Sequence, residues 1–217
     1  MEREVVAMMM MARAIHSHCH TMHLGLQGSH MPMPDSEDIQ DRLIAAAVAD
    51  SQSVDASGRS TRALVHGVKI RDLTLHTDER GTVCEMFDPR WAWHEDPLVF
   101  VYHFTIRPGW VKGWAMHQCH EDRYCLLQGE MKLVMYDARP DSPTHGQVNE
   151  IYLSEQRRQL VNVPAGVWHA DENIGNKDLM VVNFPTIQYD HAAPDKIRLP
   201  LDTDLIPYRF RDVKGEQ

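Results

Sequence analysis

The chain has 217 residues, enough for one good-sized domain or one domain with a tail. Acidic residues outnumber basic ones 31 to 22, and there is no basic cluster of the kind a phosphate backbone demands, which argues against a nucleic-acid partner. No apolar run approaches the roughly 20 residues needed to span a bilayer, and four cysteines without CxxC spacing suit a reducing cytoplasm better than a disulfide framework.

In chain order, residues 1–34 show neither helical nor strand period, and they read as a disordered leader. His16, His18, Cys19, His20 and His23 fall there, and Gly28-Ser29-His30-Met31 has the look of a tag remnant. Asp35–Ala49 is the one clear helix candidate. Asp35 or Ser36 can cap it, acids fill its first turn, and Ile39, Leu43, Ala46 and Ala47 form an apolar stripe. Residues 50–61 are polar and serve as a linker, placing the start of the main domain near residue 62.

From Leu64 onward β character dominates. Strands are expected over Val65–Thr74, Val83–Phe87, Leu98–Ile106, Val111–His117, Tyr124–Tyr136 (two arms about a Gln128-Gly129-Glu130 turn), Val148–Leu153, Leu160–Val163 and Leu179–Phe184. Many short strands with frequent turns point to an all-β barrel or jelly roll. Residues 185–217, with four prolines, read as an extended tail wrapping the domain.

Two stretches carry the chemistry. Pro108–Asp137 contains His117, followed by Cys119, His120, Glu121, Asp122 and Arg123 in a polar loop. Leu160–Asn173 places His169 just after a Pro164-Ala165-Gly166 turn. Side chains alternate along a strand, so Gly113, Ala115 and His117 share one face and Trp114 and Met116 the other. Two imidazoles delivered by two β units suggest a polar pocket at a barrel mouth.

These stretches resemble the two cupin motifs. Gly109 and Gly129 bracket the first, with His117 at its second histidine place, Asp122 near its glutamate place and Ala115 where the first histidine usually stands. The second motif, PxGxxHxxxN, is matched by Pro164, Gly166, His169 and Asn173. The stretches 67–87 and 139–169 and the late PTIQYDHAAPDKIRL narrow the resemblance to the dTDP-4-dehydrorhamnose 3,5-epimerase family, over about residues 64–205. That resemblance implies a single cupin jelly roll that forms homodimers in the cytoplasm, takes a nucleotide-linked 4-keto sugar, and needs no metal or organic cofactor. It places Arg80 on the nucleotide diphosphate and Glu85 on the nucleoside, with Lys112 and Asn173 beside the substrate.

The family's base place falls on Ala115, its tyrosine place near Val182 or Asn183, and its lysine place near Asp122 or Arg123. Epimerisation next to a ketone needs a base at the α-proton and donors near the enolate oxygen. His117 is the candidate base, with His169 opposite it and Arg123, His120 or Tyr124 as sources of charge or a proton. A second reading takes His117, His169 and Asp122 or Glu121 as a two-histidine, one-carboxylate set for Fe or a similar divalent ion. A third reading is a non-catalytic cupin binding a nucleotide sugar or small polar metabolite.

Overall fold

The computed structural model describes residues 36–211 and 214–215. The leader and its histidines lie outside these residues. Helix α1 runs Ser36–Ala46, within the expected Asp35–Ala49, and Ile39 and Leu43 of its stripe are exposed. It belongs to one compact unit, Met1–Gln52, and the β structure belongs to a second, Ser53–Gln217. Among the described residues no helix is long and apolar enough to cross a membrane.

The second unit is a jelly roll. Its strands are β1 Ile70–Asp72, β2 Leu75–Asp78, β3 Gly81–Cys84, β4 Tyr102–Ile106, β5 Trp110–His117, β6 Asp122–Gln128, β7 Glu130–Asp137, β8 Val148–Ser154, β9 Gln159–Val163, β10 Val167–Asn173, β11 Leu179–Asn183, β12 Lys196–Arg198 and β13 Lys214–Gly215. One sheet has the order β1-β9-β6-β11-β4, and the other β12-β5-β10-β7-β8 with β13 also on β5. Strands β2 and β3 form a separate hairpin. The expected strand at 65–74 is shorter than its apolar run, and two short tail strands appear where the prolines suggested none.

Alternation explains why these segments are strands. On β7, Met131, Leu133 and Met135 enter the core between the sheets, where Leu126, Val161, Val163, Val167, Leu179 and Val181 meet them. Each fully buried side chain of this size stabilises the fold by about 1.5–3 kcal/mol. The intervening Val134 and Tyr136 face outward and pack with Trp114, Ala170 and Trp168 under the tail residues Ile206, Tyr208 and Phe210. Trp114 meets the Tyr208 ring edge-on at 6.1 Å. Tyr136 thus packs outside the barrel, and Trp168 faces away from its neighbour His169. The five-stranded sheet is covered on its outer side by Leu73, Met86, Phe87 and Trp93, packed on Cys125, Leu160, Val182 and Phe184.

Gly113 matters for the site. A Cβ there would sit 2.5 Å from the Ala170 Cβ, so only glycine lets β5 approach β10 so closely. Next to it the register slips: His169 pairs with Ala115, but Asp171 pairs with Lys112. The slip turns Lys112, Ala115 and His117 to the concave side that His169 and Asp171 also face.

The turn after β7 is organised by a buried carboxylate. Asp137 accepts from Arg139 Nε at 2.8 Å, Ser142 Oγ at 2.5 Å and Thr144 Oγ1 at 2.6 Å. Burial works to raise its pKa, but these donors outweigh burial and hold it well below 3.8. A depressed carboxyl stabilises the fold above its unfolded pKa and loses that contribution as pH falls through the folded value. Asp137→Asn should cost about 2–4 kcal/mol at pH 7. Urea melts of the variant at pH 7 check this, and an unchanged midpoint contradicts it.

Candidate functional site

A single buried carboxylate gathers three imidazoles. Asp122 opens β6 with its side chain turned inward and 1% exposed. His117 Nε2, from the end of β5, lies 3.2 Å from Asp122 Oδ2. His169 Nε2, from the middle of β10, lies 3.7 Å from the same oxygen. His120 Nε2, from the loop, lies 3.6 Å from Oδ1. The His117 and His120 rings are 4.0 Å apart and those of His117 and His169 5.6 Å. The two imidazoles expected to converge do so.

Asp122 is also hydrogen-bonded. Tyr124 Oη donates to it at 3.0 Å and Asn183 Nδ2 at 2.6 Å. Burial disfavours its charge, yet His117, His120 and the other neighbours hold its pKa well below 3.8, so it is an anion at neutral pH. His169 is the reverse case. Burial pushes it down to about 4, and Nδ1, 3.2 Å from the Val167 carbonyl, is the nitrogen placed to carry the proton. Its Nε2 then carries a free lone pair and has no hydrogen-bond partner. Neither His117 nitrogen is aligned for a hydrogen bond, despite the short distance to Asp122.

A second carboxylate arrives from the tail. Asp195 accepts from the backbone of Gln118 at 3.1 Å and Cys119 at 3.0 Å, and lies 2.9 Å from His120 Nδ1. It thus fixes the 118–121 loop and helps Asp122 raise the pKa of His120 against the opposing effect of burial. Asp171, two residues beyond His169, is 5% exposed, and burial raises it to about 7. Tyr102 accepts from Asn183 Nδ2 at 2.9 Å, which leaves its own proton free, and burial raises its pKa so that it stays protonated.

Several expected residues stand elsewhere. Arg123 does not join the histidines: it points to the opposite face of β6 and donates to the carbonyls of Phe184, Asp96, Pro97 and Pro185, stacked 4.8 Å over Phe87. Four carbonyl partners take four of its five N–H donors and make it a brace for the 96–97 loop. Asn173 bonds the carbonyls of Ile106 and Lys177 and the Gly175 amide, closing the β10–β11 turn. Arg80 is exposed at the β2–β3 hairpin tip, tied to Asp78. Glu85 lines a cavity of about 110 Å³ with Arg71, His76 and Trp91. Glu121 is held by His94 at 3.0 Å and Asn162 at 2.6 Å, so of the two loop carboxylates Asp122 is the one that joins the histidine cluster. His103, on β4, is exposed.

Among the described residues two triads have the spacing to hold a metal ion, His117–Asp122–His169 and His117–His120–Asp195, each with ligand atoms within 4.8 Å of one another. The unpartnered nitrogens of His117 and His169 fit a divalent ion of the imidazole-preferring kind. The same atoms serve equally as a proton relay.

The family model for dTDP-4-dehydrorhamnose 3,5-epimerase matches residues 62–204. The chain belongs to this epimerase family. A probable low-salt glycan biosynthesis epimerase of Haloferax volcanii is 36% identical over 140 residues, covering 64% of this chain and 89% of that protein. The spore coat polysaccharide biosynthesis protein SpsL of Bacillus subtilis is 29% identical over 153 residues, 68% of this chain and 97% of its own. The crystal structure of a dTDP sugar isomerase from Desulfovibrio desulfuricans superposes with a TM-score of 0.62 at 25% identity, covering 66% of this chain and 90% of that one. Ala115, expected from the resemblance at the base place, pairs with His169 and faces the same side. Of the two candidates for the lysine place, Asp122 faces in and Arg123 out; of those for the tyrosine place, Asn183 faces in, bonded to Asp122, and Val182 out.

Proposed function

We propose that the protein is a sugar-nucleotide epimerase that removes the proton next to the C4 ketone of a nucleotide-linked sugar by a route rebuilt around Asp122. His117 takes the proton. Asp122, 3.2 Å from His117 Nε2, stabilises by its charge the imidazolium that forms. The electron pair of the broken C–H bond moves onto the ketone oxygen, and the resulting enolate is reprotonated from the other side. Tyr102 supplies that proton, because Asn183 holds its oxygen and its own hydrogen is unengaged. No metal or organic cofactor is required. The observation that carries this reading is the buried, ionised Asp122 between His117 and His169, inside a chain of the epimerase family.

Family membership supports, as the substrate, a deoxythymidine-diphosphate 4-keto sugar of the rhamnose type, used in carbohydrate biosynthesis in the cytoplasm. Leu98, Val99 and Val101, leading into the sheet-edge strand β4, are exposed, and a second copy of the chain in a homodimer would cover them. The test is solvent exchange. In deuterium oxide the enzyme should place deuterium next to the ketone of dTDP-4-keto-6-deoxyglucose, seen by NMR. Tight binding with no exchange would instead make it a binding protein.

A further inference from the structure

The cation expected on the substrate's diphosphate, Arg80, is engaged with Asp78 at a hairpin tip. Another set of cations lies on the tail strand β12. In its pairing with β5, Lys196 stands opposite His117 and Arg198 opposite Ala115. Residues directly opposite in an antiparallel pair share a face. Lys196 and Arg198 therefore face the same concave side as His117, while Ile197, opposite Met116, faces away. The row continues across the sheet from Arg198 to Ala115, His169 and Met135. Strands lie about 4.8 Å apart, so the Arg198 and His169 backbones are about 10 Å apart, with Ala115 the residue between them in the row.

Three positive groups thus converge at one mouth in a chain of net charge −9: Lys112 from β5, and Lys196 and Arg198 from β12. All three are exposed.

We propose that Lys196 and Arg198 form the anion subsite that takes the diphosphate of the substrate, with the space over Ala115 admitting the sugar to His117. This rests on the nucleotide-sugar reading above. The arginine fork matches two phosphate oxygens, and the lysine adds a point charge. The strand that brings these cations also brings Asp195, so one tail segment both braces the histidine loop and receives the ligand.

Calorimetric titration of the whole protein with dTDP, UDP and inorganic pyrophosphate tests the assignment. The double variant Lys196→Gln, Arg198→Gln should bind dTDP at least about 30-fold more weakly, and its affinity should lose most of its dependence on salt. The charge-preserving pair Lys196→Arg, Arg198→Lys loses the fork at 198 but keeps both charges, so it should bind dTDP more tightly than the Gln pair and keep its salt dependence, which a loss of fold would not permit. If wild type binds dTDP and the Gln pair binds it equally well, the subsite is wrong and the nucleotide reading stands. If wild type binds neither dTDP nor UDP, both fall. Pyrophosphate binding that also depends on the two cations assigns the contact to the diphosphate; pyrophosphate binding indifferent to them overturns it.

Discussion

His117→Gln will slow deuterium incorporation next to the substrate ketone by about 10²–10⁴-fold, the usual contribution of a positioned general base. Nε2 of His117 lies 3.2 Å from the Asp122 carboxylate, and Asp122, at the start of β6, is held by hydrogen bonds from Tyr124 and Asn183 that leave it little freedom. Glutamine keeps volume and polarity but cannot carry the proton. Asp122→Asn should also slow exchange, because the charge that stabilises the imidazolium is lost while the shape remains. His169 supplies the contrast. Its burial-depressed pKa of about 4 makes it a weak proton acceptor, so His169→Gln should retain far more exchange than His117→Gln. The reverse ranking would transfer the base role to His169, and equal, small effects would remove it from both.

Asp171→Asn will make the protein more stable at pH 8, by about 2–4 kcal/mol. Buried beside the site, Asp171 keeps its proton to about pH 7, whereas an unfolded aspartate releases it near 3.8. Between those values the unfolded chain holds fewer protons than the folded one, so stability falls as pH rises, and above pH 7 the full cost is present. His169 slopes the other way. Folded, it protonates only near pH 4, against 6.5 when unfolded, so stability rises with pH across that window. The two slopes largely offset each other from about pH 4 to 6.5. Removing the Asp171 carboxylate should expose the histidine slope. Urea melts of both proteins from pH 4.5 to 8 would show a gain that grows with pH, and equal midpoints at pH 8 would refute it. A group that destabilises the fold at working pH is the kind retained for activity.

Much of this was legible in the amino-acid order, for reasons that differ by residue. The Met131, Leu133, Met135 alternation identifies β7, because period two survives whatever the sheet pairs with. His169 follows from a fixed spacing after a Pro-Ala-Gly turn, and His117 from counting faces along β5. Arg123 shows the limit of spacing. It sits one residue from Asp122, and one residue is the step that turns a side chain through the sheet. Asn173 matches its motif, yet its amide is consumed by the β10–β11 turn, which no local pattern signals. Asp195, Lys196 and Arg198 were missed because a three-residue strand has no readable period. Its role depends on pairing with β5 some 80 residues earlier, and non-local pairing leaves no trace in composition. Tyr102 was overlooked for the same reason, since its partner Asn183 is on another strand.

The division between β12 and the rest of the jelly roll has a consequence for how such proteins diverge. None of Lys196, Ile197 or Arg198 belongs to a buried apolar cluster, and the strand is held at an edge by three backbone pairings. New side chains at those positions can alter which molecule is accepted at little cost in folding. Selection, or a library confined to these positions, could therefore retune ligand choice without repacking the interior.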